Sequence, residues 1–362
     1  MFFSIATQPD YRFFNRCEHL GLWINFDDGW HVKPGSIIKG PASNHCRLVL
    51  TPTGVDIVHS EPRSFPLWFE HGFITNLYAE AGKSAWASDR LHMDPDGRIV
   101  WTPIALDLDV PQQMLTVDQA KQHIIELLDL SIKELDQPVK MFCTGGLDTF
   151  LIYSLLKYHD QPTDLIQHEH FDDNKFVRLN QPALEHHWSY RRGQLHHWNQ
   201  PVCLASGGCG DEYFLRGPAV IAMLTAWHDI DFAQRLEQTQ YHFHHFQKYQ
   251  ELWQTTWAQR HQLQDQYRSA QQLHAHVLNT LANDHQHWHL GLTTTWTPLK
   301  NIEIARTLLQ VPMHDLMPQF TDGALTKDII CHYCPEVLQF VSRFKNHNAG
   351  ENLQAFWQWH HA

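Results

Sequence analysis

Two short stretches of this chain combine the residue types that handle phosphate. The first is Val139-Lys140-Met141-Phe142-Cys143-Thr144-Gly145-Gly146-Leu147-Asp148-Thr149, an apolar run that ends in two glycines and enters a helix-compatible segment, Phe150–Leu156. Glycine lets a backbone approach a phosphate closely, and a helix N-terminus presents unpaired N–H groups with a favourable dipole. Thr144 and Thr149 add hydroxyl donors to the same cradle. Asp148 repels phosphate itself but suits a magnesium ligand beside it. A plainer reading stands next to this one: a strand-to-helix turn in which the glycines only relieve crowding. The stretch lacks the G-K-[ST] ending of a Walker loop and contains no G-x-G-x-x-G fingerprint.

The second stretch is Ser206-Gly207-Gly208-Cys209-Gly210-Asp211-Glu212-Tyr213-Phe214, which follows the apolar run Val202-Cys203-Leu204-Ala205. Again a strand ends in a glycine-rich turn that delivers an acidic residue. In a parallel sheet both turns would lie at the carboxyl edge, where open α/β sheets bind ligands. Asp148 and Asp211 are then expected to converge on one Mg²⁺.

Positioning these turns requires a parallel sheet, and the pattern predicts one. Strand-like and helix-like segments alternate at Val139–Cys143, Thr149–Tyr158, Thr163–Gln167 and Gln181–Tyr190, which implies βαβ units. Ahead of them, Thr116-Val117-Asp118-Gln119 has the form of a capping box. It opens a helix whose apolar face is Ala120, Ile124, Leu127, Leu128, Ile132 and Leu135. Residues 1–112 read instead as β-rich, with hairpins expected around Pro52-Thr53-Gly54 and Asp94-Pro95-Asp96-Gly97. Pro103 and Pro111 punctuate the boundary to residues 113–362. Beyond Pro218 the chain reads as helical and rich in Gln, His and aromatics to about residue 290.

Composition narrows the function classes. With 27 Lys+Arg against 39 Asp+Glu, the formal net charge is −12, which argues against sequence-independent nucleic-acid binding. Seven unspaced cysteines favour free thiols in a reducing compartment. Neither a secretory signal nor an apolar stretch of membrane-spanning length is visible, so a soluble, cytoplasmic protein without membrane contact is expected. Cys331-His332-Tyr333-Cys334 has metal-ligand spacing without a completing second pair, and a packed thiol pair is the expectation there. His168-Glu169-His170 ends the second predicted strand of the sheet and would edge the same pocket, more simply as ordinary histidines than as ligands.

Thr144–Thr149 resembles the S-G-G-x-D-S pyrophosphate loop of the ATP-pyrophosphatase superfamily. Ser206–Phe214 with Gly217 is similar to the S-G-x-G-x-D-E-x-F-x-G segment of the asparagine synthetase family, which includes β-lactam synthetases and lasso-peptide cyclases. Thr297-Pro298-Leu299, Ile302–Ala305, Leu325-Thr326-Lys327 and Arg343-Phe344-Lys345 are similar to its downstream segments, the last resembling R-x-K. The resemblance covers about residues 113–350. It implies an α/β parallel-sheet ATP-pyrophosphatase domain with a helical C-terminal part, after a smaller, shortened glutaminase-like domain.

The implied activity is an ATP- and Mg²⁺-dependent, AMP-forming amide ligase that adenylates a small-molecule or peptide carboxylate and passes it to ammonia or an amine. Thr144, Gly145, Gly146, Leu147, Asp148, Thr149, Ser206 and Gly207 would bind ATP and pyrophosphate. Asp148 and Asp211 would hold Mg²⁺, with Lys345, and secondarily Arg343 and Lys327, as the catalytic cations. The resemblance departs at two places. Gly208 stands where the family often carries Glu or Tyr for the amide-forming step, and Met1 is followed by Phe2 rather than a nucleophilic cysteine. No glutamine hydrolysis is therefore expected, and a nucleotide-binding relative that no longer catalyses is the alternative. The pattern leaves homo-oligomerisation open.

Overall fold

The computed structural model describes residues 3–11, 15–26, 37–39, 46–59, 67–75, 83–85, 90–102, 113–133, 135, 138–167, 176, 202–208, 210–214, 274, 275, 278, 293–312, 314–316, 319 and 323–341. The predicted helix Gln181–Tyr190, the boundary prolines and most of the helical region after Pro218 lie outside them. The fold is mixed α/β, with two antiparallel sheets and one small parallel sheet.

The β-rich half begins with β1 (Phe3–Ala6), β2 (Asn15–His19) and β3 (Leu22–Phe26). With β7 (Leu67–Glu70), β8 (Phe73–Thr75) and β9 (Lys83–Ala85) they form a six-stranded sheet, β2-β3-β1-β8-β7-β9. A five-stranded sheet, β11-β10-β6-β5-β4, uses β4 (Ile37–Lys39), β5 (Cys46–Thr51), β6 (Gly54–His59), β10 (Arg90–Met93) and β11 (Ile99–Thr102). Both expected hairpins are present, β5–β6 closing at Thr51↔Gly54 and β10–β11 at Met93↔Ile99. One core joins the sheets. Phe3, Ile5, Leu22, Ile24 and Ile74 of the first meet Leu48, Val55, Ile57, Leu91 and Met93 of the second. Period-2 alternation places these side chains inward, so the two sheets bury one shared apolar layer.

A second, separate core starts at Leu115. The capping box forms as expected: the Thr116 hydroxyl accepts from the Gln119 N–H, and the Gln119 side chain accepts from the Thr116 N–H. It opens α1 (Val117–Ile132), whose buried stripe is Ala120, Ile124, Ile125, Leu128, Ser131 and Ile132. Leu127 is only partly buried, and Leu135 lies past the helix end.

Strands β12 (Val139–Cys143), β13 (Thr163–Gln167), β14 (Val202–Ala205) and β15 (Thr293–Trp296) pair in parallel in the order β13-β12-β14-β15. The chain leaves β12 through α2 (Leu147–Tyr158) and returns as β13 on one side. It then places β14 on the other side of β12. The crossover direction therefore reverses between β12 and β14, which makes the carboxyl edge of these two strands a topological switch point.

Beyond β15 come α4 (Ile302–Leu309) and α5 (Ala324–Tyr333). Lys121 of α1 lies 3.5 Å from Asp328 of α5, and Tyr333 donates its hydroxyl to the Ile125 carbonyl or Asp129 Oδ1, each at 3.1 Å. His159, at the end of α2, meets the same Asp129 carboxylate at 2.8 Å. These contacts run α1 and α5 alongside each other in one direction and bring the end of α2 against Asp129 of α1.

The expected thiol pair at the end of α5 is not formed as such. Cys331 is exposed and Cys334 is buried. Burial pushes the Cys334 thiol up to about 11. Its hydrogen bond, with one from Lys157, holds the Glu336 carboxyl down at about 2. The residues are three apart at a helix end, and only Cys334 turns under the chain into the core.

Candidate functional site

The two glycine turns stand side by side because β12 and β14 are paired neighbours. Gly145 occupies the left-handed region at φ +72°, where a side chain would be strained, and so lets the chain turn directly from strand into helix. Gly146 is the N-cap of α2 with no side chain closing it. Leu147 and Asp148 thus belong to the first helical turn, two residues earlier than the predicted start at Thr149. A helix start left open in this way offers N–H groups and a positive dipole end toward the switch point.

Thr144 and Thr149 both reach this turn, but their hydroxyl oxygens lie 2.5 Å apart and bond each other. One O–H is consumed by that bond, so the pair offers one hydroxyl proton outward rather than the two expected.

The second turn continues from β14, where the Ser206 N–H donates to the Trp296 carbonyl of β15 at 2.9 Å. The Ser206 hydroxyl accepts from the Gly208 N–H at 3.1 Å, and the Gly210 N–H donates to the Gly207 carbonyl at 3.2 Å. This fold of the turn starts a short helix, α3 (Gly210–Tyr213), which carries Asp211 in its first turn.

The two turns are in contact. A methyl group at Gly207 would come 2.8 Å from the Asp148 carbonyl carbon and Cβ. One at Gly210 would overlap the Asp148 carboxylate itself. The missing side chains at 207 and 210 therefore let Asp148 lie against the backbone just before Asp211. Nothing in the local sequence shows this non-local packing.

A third strand end joins them. A methyl at Gly208 would meet Thr297 Cγ2 at 3.3 Å, so the residue after β15 closes the other flank of the turn. The chain then makes a 3₁₀ turn, Pro298–Lys300, and the Tyr213 hydroxyl donates to the Lys300 carbonyl at 3.4 Å. Lys300 is only 5% exposed, a buried cationic residue at this sheet edge that the motif reading passed over. Its signal was a lysine following the apolar pair Pro298-Leu299 and two residues ahead of Ile302.

Lys327 lies in the first turn of α5, partly buried. Arg343, Lys345 and His168–His170 lie outside the described residues, as does the Asp211 side chain.

The donor set fits a magnesium–triphosphate. It combines an open helix start, a hydroxyl pair, and a carboxylate seated against the neighbouring turn, at the crevice where such sheets bind nucleotides. Magnesium keeps several waters and takes one or two carboxylates plus phosphate oxygens, so it needs no protein cage. No group of three or more His, Cys, Asp or Glu that could hold a metal ion gathers among the described residues. No helix among them is long and apolar enough to cross a membrane. No protein-family model matches the chain, and no curated protein matches its sequence.

Proposed function

We propose that this chain is an ATP-dependent, AMP-forming amide ligase of the asparagine synthetase kind, built on an ATP-pyrophosphatase fold. The observation that carries the reading is the contact of two glycine turns at the switch point, with the Asp148 carboxylate seated against Gly210. ATP and Mg²⁺, when bound, would supply the leaving pyrophosphate and neutralise its charge. A substrate carboxylate oxygen attacks the α-phosphorus while the bond to pyrophosphate breaks. Ammonia or an amine then displaces AMP from the acyl carbon and loses a proton.

In this scheme the first-turn N–H groups of α2, the Thr144–Thr149 pair, Ser206 and Gly207 bind the phosphates. Asp148 and Asp211 would hold the metal, and Lys345, with Arg343 and Lys327, would neutralise the charge that develops on the leaving group. The test is pyrophosphate and AMP release from ATP and Mg²⁺ across a panel of acids and amines. Release should vanish in Asp148→Asn and in Asp211→Asn, and wild-type turnover in both would overturn the assignment. A nucleotide-binding role without amide formation is the second reading. Gly208 favours it, because that position carries no acid or base and is crowded by Thr297 and Ser206.

A further inference from the structure

We propose that the outer face of the five-stranded sheet carries a second binding site, for the phosphate or sulfate group of a small molecule, formed by Arg90, His92 and the hydroxyls around them. Cross-strand register builds it. His92 pairs with Asp56 and Val100, and Arg90 pairs with Thr102. Alternation sends Val55, Ile57, Leu91 and Met93 into the core, so Asp56, Arg90, His92 and Thr102 share the opposite face.

An outward-facing aspartate should be well solvated, yet Asp56 is only 8% exposed. Arg90 Nη2 and His92 Nδ1 each reach its carboxylate at 2.6 Å and cover it. Burial alone would raise its carboxyl, but the hydrogen bonds from His92 and Arg90 outweigh that and hold it below the usual range. The carboxylate thus works as an internal strut that orients two donors. Arg90 spends one N–H on it and keeps its other donors, with its side chain 55% exposed. His92 turns its Nε2 away from Asp56. The residues line an open cavity of about 320 Å³ together with Thr51, Thr53 and Thr102.

Charge bookkeeping selects the ligand. Asp56 cancels Arg90. The Thr51 hydroxyl is spent on the Gly54 carbonyl at 3.0 Å and meets Thr53 Oγ1 at 3.3 Å, so the groups left for a ligand are guanidinium N–H, the Thr102 hydroxyl and the far ring nitrogen. Donors exceed acceptors, which suits an oxyanion, and an arginine fork matches phosphate or sulfate geometry. Among the described residues, the charged groups facing His92 are Asp56 on β6 and Arg90 on its own strand. β11 presents Val100 and Thr102, and β5 presents Thr51. His92 spends Nδ1 on Asp56, so only its far ring nitrogen faces the cavity.

The probe is inorganic sulfate, titrated into the full chain at fixed pH and ionic strength. The His92 ring resonance, assigned by its loss in His92→Gln, reports this basin and not the sheet edge at Gly145. Saturable binding that shifts the His92 resonance is expected. Arg90→Gln should weaken it tenfold or more. Thr102→Val, which leaves the Arg90–Asp56 pair intact, should weaken it severalfold, and Lys140→Gln on the parallel sheet should change nothing. Phenyl phosphate binding tighter than sulfate would support a ligand with an organic body. A His92 response that never saturates, or an Arg90→Gln affinity within twofold of wild type, would overturn the site while leaving the ligase reading untouched.

Discussion

Gly210→Ala separates the site from the scaffold. A methyl at 210 would fall inside the van der Waals envelope of Asp148 Oδ1 and Cγ, and 2.9 Å from Oδ2. The obstructing atoms are the tip of a side chain, so the fold can answer by rotating the carboxylate away. Reaching ordinary contact means moving it by about 1 Å or more, and a misplacement of that size costs about 100-fold in rate. Alanine is meanwhile the better helix former by about 1 kcal/mol. Thermal unfolding should therefore stay near wild type while ATP-dependent pyrophosphate release falls about 100-fold. Gly207→Ala is the contrasting variant. There the methyl meets Asp148 backbone atoms at 2.8–2.9 Å, so the first turn of α2 must shift and stability should drop by about 1–3 kcal/mol. If Gly210→Ala kept wild-type release, the Asp148 carboxylate would not need its place against α3, and the reasoning would be refuted.

Further expectations concern stability. Thr116→Ala removes the capping-box hydroxyl and should cost about 1 kcal/mol by urea denaturation. Tyr333→Phe deletes the buried hydroxyl that ties α5 to Ile125 and Asp129, and a loss of about 1 kcal/mol in the same assay is expected. His274 is fully buried, neither ring nitrogen has a hydrogen-bond partner among the described residues, and burial pushes it down to about 3. A lowered value means the unfolded chain takes up the proton first. His274 therefore opposes folding progressively as pH falls below its ordinary 6.5 toward about 3. His274→Leu should thus be less acid-labile than wild type, by about 2 kcal/mol between pH 7.5 and pH 5. An equal loss in both proteins would show that His274 is not desolvated.

Much of the scaffold was legible because its signals are local. Strands β12, β13 and β14 begin and end where apolar runs meet turn residues, and the capping box at Thr116 opens α1. The early start of α2 was misplaced because a glycine N-cap gives no side-chain signal, unlike Thr116. Strand β15 was missed since Thr293-Thr294-Thr295-Trp296 lacks a long apolar run, and its pairing with β14 comes from distant sequence. Of the site, the two turns could be read from glycines and aspartates. The placement of β14 beside β12, the fit of Asp148 against Gly207 and Gly210, and buried Lys300 depend on tertiary packing that no spacing encodes.

Equilibrium binding of ATP to the full chain, with and without Mg²⁺, tests the central claim most directly. Saturable one-to-one binding that tightens with Mg²⁺ is expected, with the Mg²⁺ enhancement lost in both Asp148→Asn and Gly210→Ala. Absence of ATP binding at saturating Mg²⁺, or binding equally strong in wild type and both variants, would contradict a nucleotide site between the two turns.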